Sequence, residues 1–153
     1  MKFSTRKDME APIDAIFDKL SNFAAFERAA LKRGIEVTRD TPSAGMPGWQ
    51  IRFPLRGKMR SLSVALDAID APEAMSFAGE SKSFDLRLDL TLIALSRART
   101  RLGVELDIRP RTLSGRLLLQ SMRLTKPGYT RKFDTAVQSF AERLEKNHFS
   151  PHA

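Results

Sequence analysis

Any chemistry in this chain has to come from carboxylates, hydroxyls and basic groups. The 153 residues include no cysteine, and the only two histidines are His148 and His152. These facts exclude a thiolate nucleophile, a disulfide framework and cysteine-based zinc or iron–sulfur sites. Two histidines in a C-terminal tail also make a poor metal site, so we expect no metal and no cofactor.

The acidic residues with the most regular spacing fall in one predicted hairpin. They are Asp85, Asp89, Glu105 and Asp107. Each alternates with apolar neighbours, and successive side chains of a strand point to opposite faces, so these carboxylates should face solvent. Their expected role is pairing across strands with Arg87, Arg101 or Arg109. Because no acid or base faces inward in these runs, the sequence favours a binding protein over an enzyme and predicts no catalytic residue.

The single tyrosine, Tyr129, is the remaining polar group in a distinctive position. It directly follows Lys126-Pro127-Gly128 and precedes Phe133 by about one helical turn. An inward-facing hydroxyl would orient a ligand carbonyl or phenol, whereas an outward-facing one would lie at the rim in water. The sequence leaves both interpretations open.

Basic residues are concentrated in the C-terminal part of a chain whose net charge is +8. Residues 1–95 contain 14 basic and 13 acidic residues, whereas residues 96–153 contain 12 basic and 5 acidic ones. This asymmetry is compatible with an anionic partner such as ribosomal RNA or a membrane surface, although a solvated, partly neutralised surface is the commoner explanation of such a charge distribution. The predicted anionic-partner surface consists of Arg97, Arg99, Arg101, Arg109, Arg111, Arg116, Arg123 and Lys126.

Hydrophobic periodicity predicts an α+β domain. An alternating opening strand leads to a helix that Pro12 begins and to a second short helix that ends at Gly34. About six strands follow, and the two longest, within residues 84–109, alternate strictly and form a hairpin. Helical spacing then extends over residues 113–146, with an interruption at Lys126-Pro127-Gly128 because proline breaks or kinks a helix.

The strand alternation gathers apolar side chains between the sheet and the last helix. These side chains either fill a core or line a ligand pocket, and the pattern alone permits both. The candidate ligand-binding residues are Trp49, Ile51, Phe53, Val64, Leu66, Leu86, Leu88, Val104, Leu106, Tyr129, Phe133 and Val137.

This order of elements resembles the START-like superfamily, also called the helix-grip, SRPBCC or Bet v 1-like fold. The resemblance rests on the strand running into Glu10-Ala11-Pro12, the two-helix insertion ending at Gly34, the hairpin and the terminal helix. It implies a curved antiparallel sheet of about six to seven strands, two short helices after the first strand, and a long interrupted C-terminal helix over the sheet. Residues 1–147 would form this single domain and residues 148–153 a frayed tail.

The resemblance also implies a hydrophobic cavity, since members of the superfamily carry lipids, sterols, quinones or aromatic polyketides. We therefore expect non-catalytic binding, transport or sensing of a small hydrophobic ligand of the lipid, quinone or aromatic polyketide type. Two alternatives remain: an interaction module that uses the basic surface on RNA or a membrane, and a polyketide cyclase-like enzyme. No apolar stretch approaches the ~20 residues that span a bilayer, so we expect a soluble, cytoplasmic protein, and the sequence leaves homodimerisation open.

Overall fold

A seven-stranded antiparallel sheet dominates the computed structural model, which describes residues 1–40, 45–55 and 57–148. The strands are β1 (Lys2–Met9), β2 (Glu36–Asp40), β3 (Gly48–Leu55), β4 (Lys58–Asp70), β5 (Ala74–Glu80), β6 (Phe84–Ser96) and β7 (Arg99–Pro110). The helices are α1 (Ile13–Leu20), α2 (Phe23–Lys32), α3 (Leu113–Arg123) and α4 (Lys126–His148). The predicted fold class and its order of elements are confirmed.

The strands follow one another across the sheet in the order β1-β7-β6-β5-β4-β3-β2. The predicted long hairpin is β6 and β7, in which Leu90 lies opposite Val104 and Leu92 opposite Leu102. Register shifts interrupt the pairing of β4 with β5 and of β6 with β7. Such irregularities bend strands, which allows a sheet of long strands to curve around the helices.

Helices α1 and α2 cover one end of the concave face. Ile16, Phe17 and Leu20 form the buried side of α1. Helix α2 ends next to Gly34, whose φ of +77° suits a residue without a Cβ atom. Lys19 joins α1 to α4, because its Nζ donates a hydrogen bond to the Leu144 carbonyl at 2.7 Å, and burial lowers the pKa of this amine.

The C-terminal helical segment is interrupted two residues earlier than the sequence indicates. Helix α3 ends at Arg123 and α4 begins at Lys126, so Pro127 lies in the first turn of α4 and the break is at Leu124-Thr125. The physical reason is that proline is tolerated in a first turn, where its missing N–H would have no helical partner. Helix α4 also includes His148, and the rest of the predicted tail, residues 149–153, lies outside the described residues.

Helix α3 is fixed to the sheet at its N-terminus. The Thr112 hydroxyl caps the helix by accepting a hydrogen bond from the Gly115 amide at 3.1 Å. The Arg111 amide donates to the Ser83 carbonyl at 2.8 Å, and Gly115 lies so close to that carbonyl that a Cβ atom would clash with it. Helix α3 therefore packs on β7, whereas α4 packs on β1 and α1. None of the described helices is long and apolar enough to cross a membrane.

Candidate functional site

Inward-facing side chains form rows across the concave face, because opposite residues of paired strands share a face. The outer row consists of Trp49, Val64, Gly79, Leu86 and Ile108. The second row consists of Leu66, Phe77, Leu88, Leu106 and Phe3. The third row is Met75, Leu90, Val104 and Thr5, and the fourth is Leu92, Leu102 and Lys7.

The burial of these side chains changes from one row to the next. In the third and fourth rows Met75 is 1% exposed and Leu102 is fully buried, since α1 and α4 cover this part of the sheet. In the outer row the side chains from Val64 to Ile108 are only half-buried. The concave face therefore has a filled half and an open half.

The open half has an apolar surface, which we term the apolar floor. Six half-buried members of the predicted ligand-binding set form it: Ile51, Phe53, Val64, Leu86, Leu88 and Leu106. Gly79 lies between Val64 and Leu86, and its lack of a side chain lets Leu62 and Leu86 approach one another over β5. Every side chain of this floor is a hydrocarbon or an aromatic ring, so its only affinity is for apolar surface.

The other predicted ligand-binding residues lie elsewhere. Trp49, Leu66, Val104 and Val137 are buried in the hydrophobic core. Phe133 is half-buried on α4, with its ring centroid 5.7 Å from that of Phe3. Tyr129 is half-buried in the first turn of α4, where Lys132 Nζ lies 5.7 Å from its ring centroid.

Two depressions of the described surface lie near the sheet. One of about 480 Å³ is lined by outer-face residues such as Ser63, Ala65 and Ala78, and its lining also includes Val64 and Leu86 of the apolar floor. Another of about 490 Å³ lies between α3 and the neighbouring ends of β1 and β7. The apolar floor itself is open to solvent along the outer rows.

An ion pair holds Trp49 at the boundary between the two halves. The Trp49 indole N–H donates to Glu27 Oε2 at 2.8 Å, and Arg39 Nε donates to the same oxygen at 2.6 Å. Arg39 and, to a lesser extent, Trp49 keep the pKa of Glu27 below its ordinary value. The Trp49 ring packs against Phe23 and Phe77, with centroids 5.2 and 6.1 Å apart. Sequence reasoning missed Glu27 and Arg39, although a buried indole usually needs a partner for its N–H.

A second polar cluster, also missed from the sequence, ties α4 to the edge strand β1. Asp134 Oδ1 accepts a hydrogen bond from the Thr5 hydroxyl at 2.6 Å, and its Oδ2 accepts one from Lys7 Nζ at 3.0 Å. The sequence does contain a signal for this cluster. Thr5 and Lys7 alternate in β1 with the inward-facing Phe3 and Met9, which places the hydroxyl and the amine on the inner face of the sheet. Because Lys7 is ion-paired in this cluster, its role is to hold the helix in place.

Acid should weaken this contact between α4 and β1. The hydrogen bonds from Thr5 and Lys7 lower the pKa of Asp134 from its ordinary 3.8, so the carboxylate stabilises the folded state above about pH 4. That contribution is lost as the pH falls through the lowered pKa. Urea unfolding at neutral pH and again below pH 4 measures this loss. Between these two conditions the free energy of unfolding of wild type should fall more than that of Asp134→Asn, whose side chain is uncharged at both. Asp18→Asn, at an exposed site on α1, serves as the control, and an equal loss in wild type and Asp134→Asn would contradict this assignment.

The hairpin carboxylates face the outer side of the sheet, as the alternation predicts. Asp89 accepts from the Ser76 hydroxyl at 2.6 Å and lies 3.5 Å from Arg87. Asp107 pairs with Arg109 at 3.0 Å, and Glu105 with Lys2 at 3.7 Å. Within the described residues, no group of three or more histidine and carboxylate side chains is placed to hold a metal ion.

The eight residues of the predicted basic surface separate into two kinds. Four form ion pairs: Arg99 with Glu10, Arg101 with Asp8, Arg109 with Asp107, and Arg111 with Glu80 and Asp85. The other four form no ion pair within residues 1–40, 45–55 and 57–148: Arg97, Arg116, Arg123 and Lys126. Arg97 lies in the β6–β7 turn, at the opposite end of β7 from α3, so the eight residues do not form one continuous surface.

Comparison with known proteins gives matches at the level of structure. No protein-family model matches the chain, and no curated protein matches it in sequence. The solved structures that it resembles include the Zhui aromatase/cyclase from Streptomyces sp. R1128, with a TM-score of 0.64, 15% identity and coverage of 94% of both chains. A START superfamily protein from Mycobacterium smegmatis matches with a TM-score of 0.54 and 12% identity, over 88% of this chain and 98% of that one.

A third match is Ara h 8.0201, with a TM-score of 0.55 and 13% identity, over 91% of this chain and 98% of that one. At these identities the likeness establishes the fold. The chain has the START-like, Bet v 1-like helix-grip fold. This is the fold that the opening motif and the order of elements predict.

Proposed function

We propose that this protein binds a small hydrophobic molecule on the apolar floor, as a carrier or sensor that does not change its ligand chemically. The observation that carries the proposal is the half-buried state of Ile51, Phe53, Val64, Leu86, Leu88 and Leu106 beside a filled core. Covering apolar surface releases roughly 25 cal/mol per Å², so a flat or chain-like apolar ligand would gain binding energy here without new polar contacts.

The chemistry around the floor favours binding over catalysis. The two polar clusters on the inner face have their charges paired, Lys7 with Asp134 and Arg39 with Glu27. A paired carboxylate with a lowered pKa is a weak base, and general acid–base catalysis works best with a pKa near the working pH. A lipid tail, a quinone or an aromatic polyketide ring would suit a floor made only of hydrocarbon and aromatic groups.

Two measurements on the full chain test the proposal. Native mass spectrometry of the freshly purified protein should show extra mass that disappears on denaturation, and its value would narrow the ligand class. The emission of Nile red depends on the polarity of its surroundings, so it should become brighter and shift to shorter wavelength when the dye binds the apolar floor. A bare native mass together with unchanged Nile red emission would contradict the proposal.

A further inference from the structure

Helix α3 has a second apolar face, opposite the one that the fold uses. Gly115 and Leu119 are buried against the sheet, as the period of the helix requires. Leu113, Leu117 and Leu124 are 73%, 57% and 85% exposed. At 100° per residue these three leucines fall within about 40° of one another, on the side facing away from Gly115 and Leu119. The fold of this chain does not account for such a stripe, since apolar residues at helical spacing normally face a core.

Cations lie on one side of this stripe, in a segment of the sequence that contains no acid. The 26 residues from Ile108 to Phe133 contain seven basic residues and no Asp or Glu. Arg116 and Arg123 lie on α3 to one side of the leucines, about 60–120° around the helix axis. With Asp107 they also line the depression between α3 and the ends of β1 and β7. Lys126 follows at the start of α4. In the part of the chain that the structure describes, these three have no carboxylate partner. Lys126 is half-buried with its Nζ 5.7 Å from the ring centroid of Phe3, whereas Arg116 and Arg123 are exposed and available to an outside anion.

Three kinds of partner could cover an apolar and basic helix face, and the observations favour one. A second copy of this chain would bring the same arginines face to face across a two-fold axis, with repulsion between them. RNA would contact the arginines but would leave the leucines in water, since single-stranded bases stack on aromatic rings rather than aliphatic side chains. The surface of an anionic membrane accepts both, because leucines enter the boundary between headgroups and acyl chains while guanidinium groups contact phosphates.

We propose that the docking face of α3, formed by Leu113, Leu117, Arg116 and Arg123 together with Leu124 directly after the helix, binds the surface of an anionic phospholipid membrane. The helix is suited to this role, since its Thr112 cap and its close contact with Ser83 hold it rigidly on the sheet. It packs on β7, the strand that also contributes Leu106 to the apolar floor. Docking through α3 therefore places the open half of the sheet near the membrane. The proposal stands on α3 alone and does not require the ligand-binding function.

Vesicle co-sedimentation of the full chain tests the docking face. Wild type should bind phosphatidylcholine vesicles that contain phosphatidylglycerol, should bind pure phosphatidylcholine far less, and should lose affinity as salt is added. The double variant Arg116→Gln/Arg123→Gln should bind the anionic vesicles about 30-fold more weakly, since each basic residue near such a surface contributes about fivefold. Leu113→Gln/Leu117→Gln should also weaken binding, and both pairs lie at exposed sites that tolerate a polar residue.

Matched substitutions on α2 serve as controls. Leu31 is 59% exposed, and Lys32 and Arg33 are exposed cations, so Leu31→Gln and Lys32→Gln/Arg33→Gln alter the same side-chain types away from α3. Both controls should bind vesicles like wild type. Equal losses in control and α3 variants, or no binding to anionic vesicles, would overturn the proposal.

Two further outcomes would also overturn the proposal in favour of another partner. Salt-sensitive binding to RNA that depends on Arg116 and Arg123 but not on Leu113 and Leu117, without vesicle binding, would assign the surface to nucleic acid. A dimer in solution that Leu113→Gln/Leu117→Gln dissociates would assign it to self-association. Nile red binding by the α3 variants should match wild type, so failure of membrane docking is distinguishable from failure of ligand binding.

Discussion

Leu102→Ala should lower the free energy of unfolding by about 2–5 kcal/mol, whereas Leu106→Ala should lower it by about 1 kcal/mol. Both leucines lie on β7 and face the same side of the sheet. Leu102 is fully buried under the helices, so its truncation loses apolar contacts and leaves a cavity in the core. Leu106 is half-buried on the apolar floor, where water can fill the space that its side chain leaves.

Urea unfolding of the two variants beside wild type measures this difference. The comparison is matched, because strand, side-chain type, substitution and orientation are the same and only burial differs. A domain of this size has a total stability of about 5–15 kcal/mol, so the loss in Leu102→Ala is a large fraction of the whole. Equal losses in the two variants would mean that both ends of the concave face are filled, and would remove the basis for the apolar floor.

The pair also shows what strand alternation can and cannot predict. Alternation over residues 84–109 correctly indicates which side chains face inward, because the two-residue period follows from backbone geometry. It does not indicate depth. Val104 and Leu106 were equal candidates in the sequence, yet Val104 is in the core and Leu106 is on the floor. Depth depends on where α1 and α4 lie over the sheet, and contacts between distant elements decide that.

Long-range pairing also explains why the sequence did not indicate which residues of the predicted basic surface are ion-paired. The local sequence indicates no partner for Arg99 and assigns Arg101 to the carboxylates of the hairpin. The actual partners, Glu10 for Arg99 and Asp8 for Arg101, come from the end of β1 and the residue that follows it, which reach them because β1 pairs with β7. Arg116 and Arg123 lie beyond the reach of these acids. Of the eight residues of the predicted basic surface, Arg97, Arg116, Arg123 and Lys126 therefore have no ion pair within the described residues.

Leu86→Trp should abolish Nile red binding while the protein remains folded. Leu86 is half-buried in the outer row, where its side chain meets Leu62 above Gly79. An indole at this position would extend over the floor toward Val64 and occupy the surface that the ligand needs. Because the outer row borders solvent, the larger ring can shift outward, and the strain that overpacking causes in a closed core is largely relieved.

Dye emission and urea unfolding together test this expectation. Ile51→Trp places an indole on the same floor from β3 rather than β6, and it should block binding as well. This second variant keeps the test valid if Leu86→Trp alone impairs folding. Leu31→Trp, at an exposed site on α2, should leave binding unchanged. If both floor variants fold normally and still bind the dye with wild-type affinity, the ligand site lies elsewhere. If the floor variants lose binding and the α2 variant does not, the open half of the sheet is the binding surface, because only there does added volume compete with the ligand.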